Sequence, residues 1–359
     1  MMPASLPVNS VLMNVEVKAP PKVLFWPELA RRAALRSALW VLAACSVSAA
    51  AQTTAPPPTA ERTVNQWLTR LHEASREKAY TGTLVVSAGS VMSASRIWHV
   101  CDGKQQMERI DTLTGAPRTT IRRNSEVITF APEEKTAWVE SRESLGLFPD
   151  LLRTPANQIP TFYGVSERGS ERVAGYLSDV VNVVPKDAWR FGYRIWSEKG
   201  TGLVMKMQTL DGQGEVMEQL AFTELQMNAP VRMDKLARLM KDTRGYQVHR
   251  PVLKRTTLEE QGWRLKDTVP GFLLMSCHTR AMENERTPEP AALQCVYSDG
   301  LATVSLFVEP LDAARPVDEL PIIIGATHSM SRAVNGARLT VMGEVPLATV
   351  KRFALAFTR

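Results

Sequence analysis

The sequence predicts an α+β chain of two domains, each built on an antiparallel sheet with few helices. Three observations carry that prediction. Between Tyr80 and Asn228, short β-prone runs alternate with Gly, Asn and Pro turn signals. A second series of such runs begins near Thr256 and closes on a stripe of helical period. A stretch rich in Lys and Arg separates the two series.

The first element is an export signal. Arg31, Arg32 and Arg36 precede the apolar run Ala38 to Val47, and Ala49-Ala50-Ala51 supplies small residues for cleavage. The run falls short of the roughly 20 residues that span a bilayer, so no retained anchor is expected. Residues 1–51 are read as a signal peptide cleaved after Ala51. Leu42-Ala43-Ala44-Cys45 also resembles a lipoprotein cleavage box, which would leave a lipidated Cys45, but the apolar run continues past it. Residues 1–30 are long and proline-bearing for a signal, and a translation start nearer Val23 or Leu24 is the alternative to Met1.

Loss of residues 1–51 removes five cations and two acids, so the net charge falls from +6 to +3. Basic and acidic residues alternate in the remainder, which suits ordinary solvation and excludes a nucleic-acid footprint. Residues 52–62 (QTTAPPPTAER) form a proline-rich tether. Thr63-Val-Asn-Gln66 reads as a capping box, and Val64, Trp67, Leu68 and Leu71 give the helix that follows one buried face.

The first domain is expected over residues 63–228. Its strands run over Tyr80–Ser87, Ser95–Val100, Lys104–Leu113, Arg118–Arg123, Glu126–Ala131 and Tyr176–Val184. A meander over Trp189–Ser197, Leu203–Leu210 and Val216–Leu225 completes it. Between Leu145 and Gly164 the prolines and apolar pairs predict short helices or an irregular lid. Trp189, Phe191, Tyr193 and Ile195 fall on one face at period two, and Met205, Met207, Leu220 and Phe222 extend the apolar material. Two readings of that face stand. Either the Thr63 helix and the Leu145–Gly164 segment cover it, or it lines a lipid-sized cavity bounded by Trp189, Phe191, Tyr193, Met205, Met207 and Phe222.

Residues 229–255 are read as an interdomain linker with one amphipathic turn (Met233, Leu236, Leu239, Met240). The second domain, residues 256–359, carries strand-like runs from Phe272 to Cys277, Leu293 to Tyr297, Leu301 to Glu309 and Arg338 to Gly343. Pro346 sits where a helix would start, and Val350, Phe353, Ala354 and Phe357 make its stripe. Cys277 and Cys295 flank a polar loop. Their spacing completes no zinc pattern, and an exported chain sits in an oxidising compartment, so a disulfide between neighbouring strands is expected. Cys101, in a strand-like run, is left as a free thiol.

Catalytic signatures are missing. The sequence contains no H-E-x-x-H, G-x-S-x-G or G-x-x-x-x-G-K-[ST] pattern, and its five histidines show no metal-ligand spacing. No enzyme, cofactor or metal is expected.

The sequence nevertheless resembles a known family. Trp67-Leu-Thr-Arg-Leu-His-Glu-Ala-Ser75, Tyr193-Arg-Ile-Trp-Ser197, Gly214-Glu-Val-Met-Glu-Gln219, Tyr297-Ser-Asp-Gly-Leu-Ala-Thr-Val-Ser-Leu-Phe-Val-Glu309, Gly325-Ala-Thr-His-Ser-Met-Ser-Arg332 and Leu339-Thr-Val-Met-Gly-Glu-Val-Pro346 look like the RseB/MucB family. The order and spacing of these motifs, more than any one of them, carry the resemblance from about Thr63 to Phe357. It implies a first domain like the LolA-type lipoprotein carriers, an unclosed half-barrel around helices. It also implies a periplasmic negative regulator of the envelope-stress sigma factor. Such a regulator binds the periplasmic domain of an RseA/MucA-type anti-sigma factor and shields it from regulated proteolysis, with lipid or lipopolysaccharide as the releasing signal. The Cys277 and Cys295 pair is not part of that resemblance. The alternative from another class is a periplasmic carrier of lipid or lipoprotein, which has no need of residues 256–359.

Overall fold

The computed structural model describes residues 62–141, 158–282, 292–312 and 317–359. The signal at 1–51, nearly all of the tether, most of the expected Leu145–Gly164 lid and most of the loop between Cys277 and Cys295 lie outside the described residues.

Helix α1 (Val64–Glu77) starts at a reciprocal cap: Thr63 Oγ1 accepts from the Gln66 amide at 3.3 Å, and Gln66 Oε1 accepts from the Thr63 amide at 2.8 Å. Its apolar stripe is buried as the spacing predicts, with Trp67, Leu68 and Leu71 almost wholly covered. A meander follows: β1 (Tyr80–Ala88), β2 (Val91–Cys101), β3 (Gln106–Thr112), β4 (Thr119–Arg123), β5 (Glu126–Ala131) and β6 (Thr136–Ser141). After the short α2 (Ile159–Phe162) a second meander runs through β7 (Tyr163–Val173), β8 (Tyr176–Pro185), β9 (Gly192–Glu198), β10 (Val204–Leu210) and β11 (Val216–Met227).

The two meanders join where the last strand meets the first. β11 pairs antiparallel with β1, so Val86 lies opposite Leu220 and Leu84 opposite Phe222. The result is one large sheet, ordered β6-β5-β4-β3-β2-β1-β11-β10-β9-β8-β7 and extended by one more strand beyond β6. Its two ends do not pair with each other, so it is the unclosed sheet expected. The β7–β8 hairpin turns through Ala174 and Gly175, at φ of 47° and 86°. Such a two-residue turn favours Asn-Gly, so Ala174 is held in a backbone region that costs a residue with a Cβ.

Residues 229–255, expected as an interdomain linker, carry one helix and two strands. Helix α3 (Met233–Lys241) lays Leu236 and Met240 onto Met107, Ile121, Ile128 and Val139 of the large sheet. β12 (Gln247–His249) then pairs parallel with β6, and His249 stacks on Trp138 with ring centroids 4.2 Å apart. β13 (Pro251–Arg255) pairs antiparallel with β15 (Leu273–Met282) of a second sheet. The chain therefore changes sheets across the single residue Arg250. The physical reason is the amphipathic stripe at Leu236 and Met240, whose burial fixes a segment that composition alone marks as polar.

The second sheet contains β16 (Ala292–Ser298), β17 (Thr303–Pro310), β18 (Ile322–Ile324), β19 (Thr327–Val334) and β20 (Ala337–Gly343), in the order β13-β15-β16-β17-β20-β19-β18. Helix α4 (Leu347–Ala356) begins directly after Pro346 and buries Val350, Phe353 and Ala354 against it. β14 (Arg264–Leu265) and β21 (Phe357–Thr358) form a small ribbon beside α4. Cys277 and Cys295 lie directly opposite on β15 and β16, 4.1 Å apart at Cα, and are bonded. Cys101 is free and half-buried.

Candidate functional site

The two sheets meet at a contact built from three loops. Asp299 sits in the β16–β17 turn, where its Oδ1 accepts from the Leu301 and Ala302 amides at 2.9 and 2.7 Å. Its Oδ2 accepts from Arg190 Nε at 2.6 Å and from the Tyr163 hydroxyl at 3.0 Å. Arg190 comes from the loop before β9, and its remaining nitrogens reach Asp187 and the Pro270 carbonyl. The guanidinium lies over the Phe162 ring at 4.1 Å. Every polar atom of this charge pair therefore has a partner, which a buried ion pair needs to offset its desolvation. Tyr163 is held neutral because burial, and next the Asp299 charge, push its hydroxyl well above the usual phenol value.

The close fit extends around the pair. Leu301 inserts into the apolar cluster under α1 and α2 with Trp67, Leu71, Tyr163 and Ile195. Gly271 has φ of +85°, and a Cβ there would come within 2.7 Å of Arg190 Nη2. No other residue fits that position without moving the pair.

The six residues expected to line one apolar cavity do not share one cluster. Trp189 and Phe191 precede β9, which starts at Gly192, so the period-two face does not reach them. The reason is local: the Asp187 carboxylate accepts from the Trp189 amide at 3.0 Å and pairs with Arg190, which bends the chain. Trp189 packs on the core of the second sheet, takes a hydrogen bond from Thr349 Oγ1 to its carbonyl at 2.7 Å, and lies under Arg352. Phe191 meets His328 edge-on at 5.5 Å. Tyr193 and Met207 belong to the cluster beneath α1 and α2. Phe222 packs against Tyr80, Leu84, Ile97 and Leu203. Met205 is fully buried in β10.

A second polar contact joins the sheets at the β18–β19 turn. Glu218 Oε2 accepts from the Ala326 amide at 3.5 Å, and Gly325 is pressed against Ala88. Burial, and next the charge of Glu344 from the second sheet, raise the Glu218 carboxyl to about 7. Burial depresses His328 below the usual imidazole value, which keeps it neutral.

Asp299 and Arg190 were not singled out in the sequence. Ser298-Asp299-Gly300 is legible there as a turn, but nothing local to either residue signals a partner 109 positions away. Among the described residues no group of three or more His, Cys, Asp and Glu could hold a metal ion, and no helix is long and apolar enough to cross a membrane.

The same two-sheet arrangement occurs in known proteins. The family model described as MucB/RseB N-terminal domain matches residues 63–240, and that described as MucB/RseB C-terminal domain matches residues 257–358. The sigma factor AlgU regulatory protein MucB of Pseudomonas aeruginosa is 30% identical over 307 residues, which is 84% of this chain and 93% of that protein. The sigma-E factor regulatory protein RseB of Haemophilus influenzae is 25% identical over 295 residues, 81% of this chain and 90% of that protein. Among solved structures, the Pseudomonas aeruginosa MucA/MucB complex superposes with a TM-score of 0.61 at 29% identity, covering 82% of this chain and 97% of that one.

Proposed function

Because this chain belongs to the MucB/RseB family, we propose that it is a regulator of an envelope-stress sigma factor acting through an anti-sigma factor. It binds the periplasmic region of that membrane protein, shields it from regulated proteolysis and so restrains the sigma factor. It does this from the periplasm, as a binding protein and not as an enzyme. The observation that carries the reading is that both sheets match, in order, the two halves of proteins named as sigma factor regulators. A relative of the same two-sheet build has been solved in complex with MucA.

The residues give the regulator a means of release. Lipid would act on the apolar face beneath α1 and α2, around Tyr193 and Met207. Displacing α2 from that face moves Tyr163, the next residue in the chain, and Tyr163 is bonded to Asp299 of the second sheet. A lipid that favours the displaced arrangement therefore lowers affinity for the partner, and the partner lowers affinity for lipid by the same factor.

Calorimetry of the exported chain against the recombinant periplasmic segment of the anti-sigma factor tests the reading. Saturable binding is expected, together with slower cleavage of that segment by its site-specific protease. No binding, or cleavage at an unchanged rate, would refute it. Binding that is indifferent to added lipopolysaccharide would remove the lipid switch alone.

A further inference from the structure

The crossing between the two sheets has features that neither sheet requires. β12 is the outermost strand of the large sheet and β13 the outermost strand of the second, so residues 247–255 form one nearly continuous extended edge. Pro251 interrupts its row of amide donors once, which leaves two short ladders that no further strand pairs among the described residues. An uncovered edge of this kind is a template for another strand, and proteins usually guard it. β7, the opposite edge of the large sheet, is guarded by exposed Glu167, Arg168, Glu171 and Arg172, whose charges cancel.

The β12–β13 edge is charged with one sign only. Arg250, Lys254 and Arg255 are exposed and have no acidic partner among the described residues, whereas the nearby Arg232, Arg238 and Arg244 are paired with Asp234 or Asp242. Val252 and Leu253 stand beside these cations at 53% and 37% exposure.

A cavity of about 210 Å³ opens where β12 ends. Ile128, Val139, Ala237 and Met240 line it on the apolar side, and the rest of its lining is Thr243, Glu126 and the three cations Arg123, Lys241 and Arg250. A cavity of about 150 Å³ accepts a benzene ring, so this one has room for a single large apolar side chain.

Edge, charge and cavity together point to one kind of occupant. We propose that the β12–β13 edge docks an extended acidic peptide segment, which adds a strand to the edge and anchors one apolar side chain in the neighbouring cavity. Main-chain hydrogen bonds hold such a strand, a side-chain pocket gives it register, and complementary charge speeds its encounter. The proposal rests on the functional reading above, and it names where the anti-sigma factor's periplasmic segment engages this chain.

The test is calorimetry of the exported chain with that recombinant segment, at low and moderate salt. Wild-type affinity is expected to fall about tenfold between the two salt conditions, because exposed charges are screened. The triple variant R250E/K254E/R255E is expected to bind at least tenfold more weakly and to lose most of the salt dependence. Ala237→Trp, which fills the cavity, is expected to weaken binding with salt dependence retained. R250K/R255K keeps the charge and is expected to bind within about threefold of wild type, which separates a docking role from a folding defect. If wild type binds and both the charge-reversed and the cavity-filled variants bind equally well, the edge is not the docking surface and the functional reading stands. Failure of wild type itself to bind overturns both. Anionic phospholipid vesicles that bind wild type, lose binding to the two variants and leave peptide affinity unaffected would assign the edge to a membrane surface and overturn the peptide proposal.

Discussion

Arg190 Nε lies 2.6 Å from Asp299 Oδ2, and both side chains are fully excluded from solvent. Each belongs to a different sheet, so this one bond ties the two halves of the molecule through a charge that neither can expose without separating. Deleting one partner of such a pair leaves a buried charge uncompensated, at about 3–5 kcal/mol. Arg190→Met and Asp299→Leu should each lower unfolding stability by that order in urea denaturation, while the double variant carrying both should cost less than their sum. Additive losses would show that the two groups do not act as a pair.

Glu218 predicts the pH response of the interface. Its folded carboxyl titrates at about 7 against an ordinary value of 4.5, so the folded state binds more protons than the unfolded chain between those values. Stability from this group is therefore full below pH 4.5 and is lost as pH rises toward 7 and beyond, with a ceiling of about 3 kcal/mol. His328, depressed by burial, acts oppositely, because it favours the fold as pH rises toward the ordinary imidazole value. Chemical denaturation at pH 5 and pH 8, in wild type and Glu218→Gln, isolates the carboxyl: the variant should lose less stability at the higher pH. An identical pH slope in both proteins would rule Glu218 out as the source.

The Cys277–Cys295 bond closes a loop between strands already paired, at a sequence separation of 18. By the chain-entropy model its loss should cost about 3 kcal/mol. Cys277→Ala with Cys295→Ala should therefore lower the urea midpoint, and reductant should have the same effect on wild type and none on the variant. Peptide mapping without reductant should recover these two joined and Cys101 free. A bridge from Cys101 to either would contradict the structure.

Ala174 occupies the left-handed region at φ of 47° in the β7–β8 turn. Ala174→Asn and Ala174→Gly should each stabilise the protein by about 0.5–1 kcal/mol, because both residues adopt that conformation at lower cost. Thermal melting measures both.

What the sequence determined by itself is local in origin. The reciprocal cap at Thr63 and Gln66, the stripe through Trp67 and Leu71, the turn residues between strands and the helix start after Pro346 each depend on neighbours a few positions away, so periodicity and turn chemistry exposed them. The order of family-like motifs then carried the functional reading. Only tertiary structure decided the rest. Whether Trp189 and Phe191 continue the face of Tyr193 depended on Asp187 bending the chain so that Arg190 could reach Asp299. How residues 229–255 pack depended on Leu236 and Met240 finding Met107, Ile121 and Val139 on distant strands of the large sheet. The role of Glu218 depended on Glu344 approaching it from the other sheet. Each of these outcomes is a desolvation or packing energy between distant segments, and such an energy exists only once the sheets have come together.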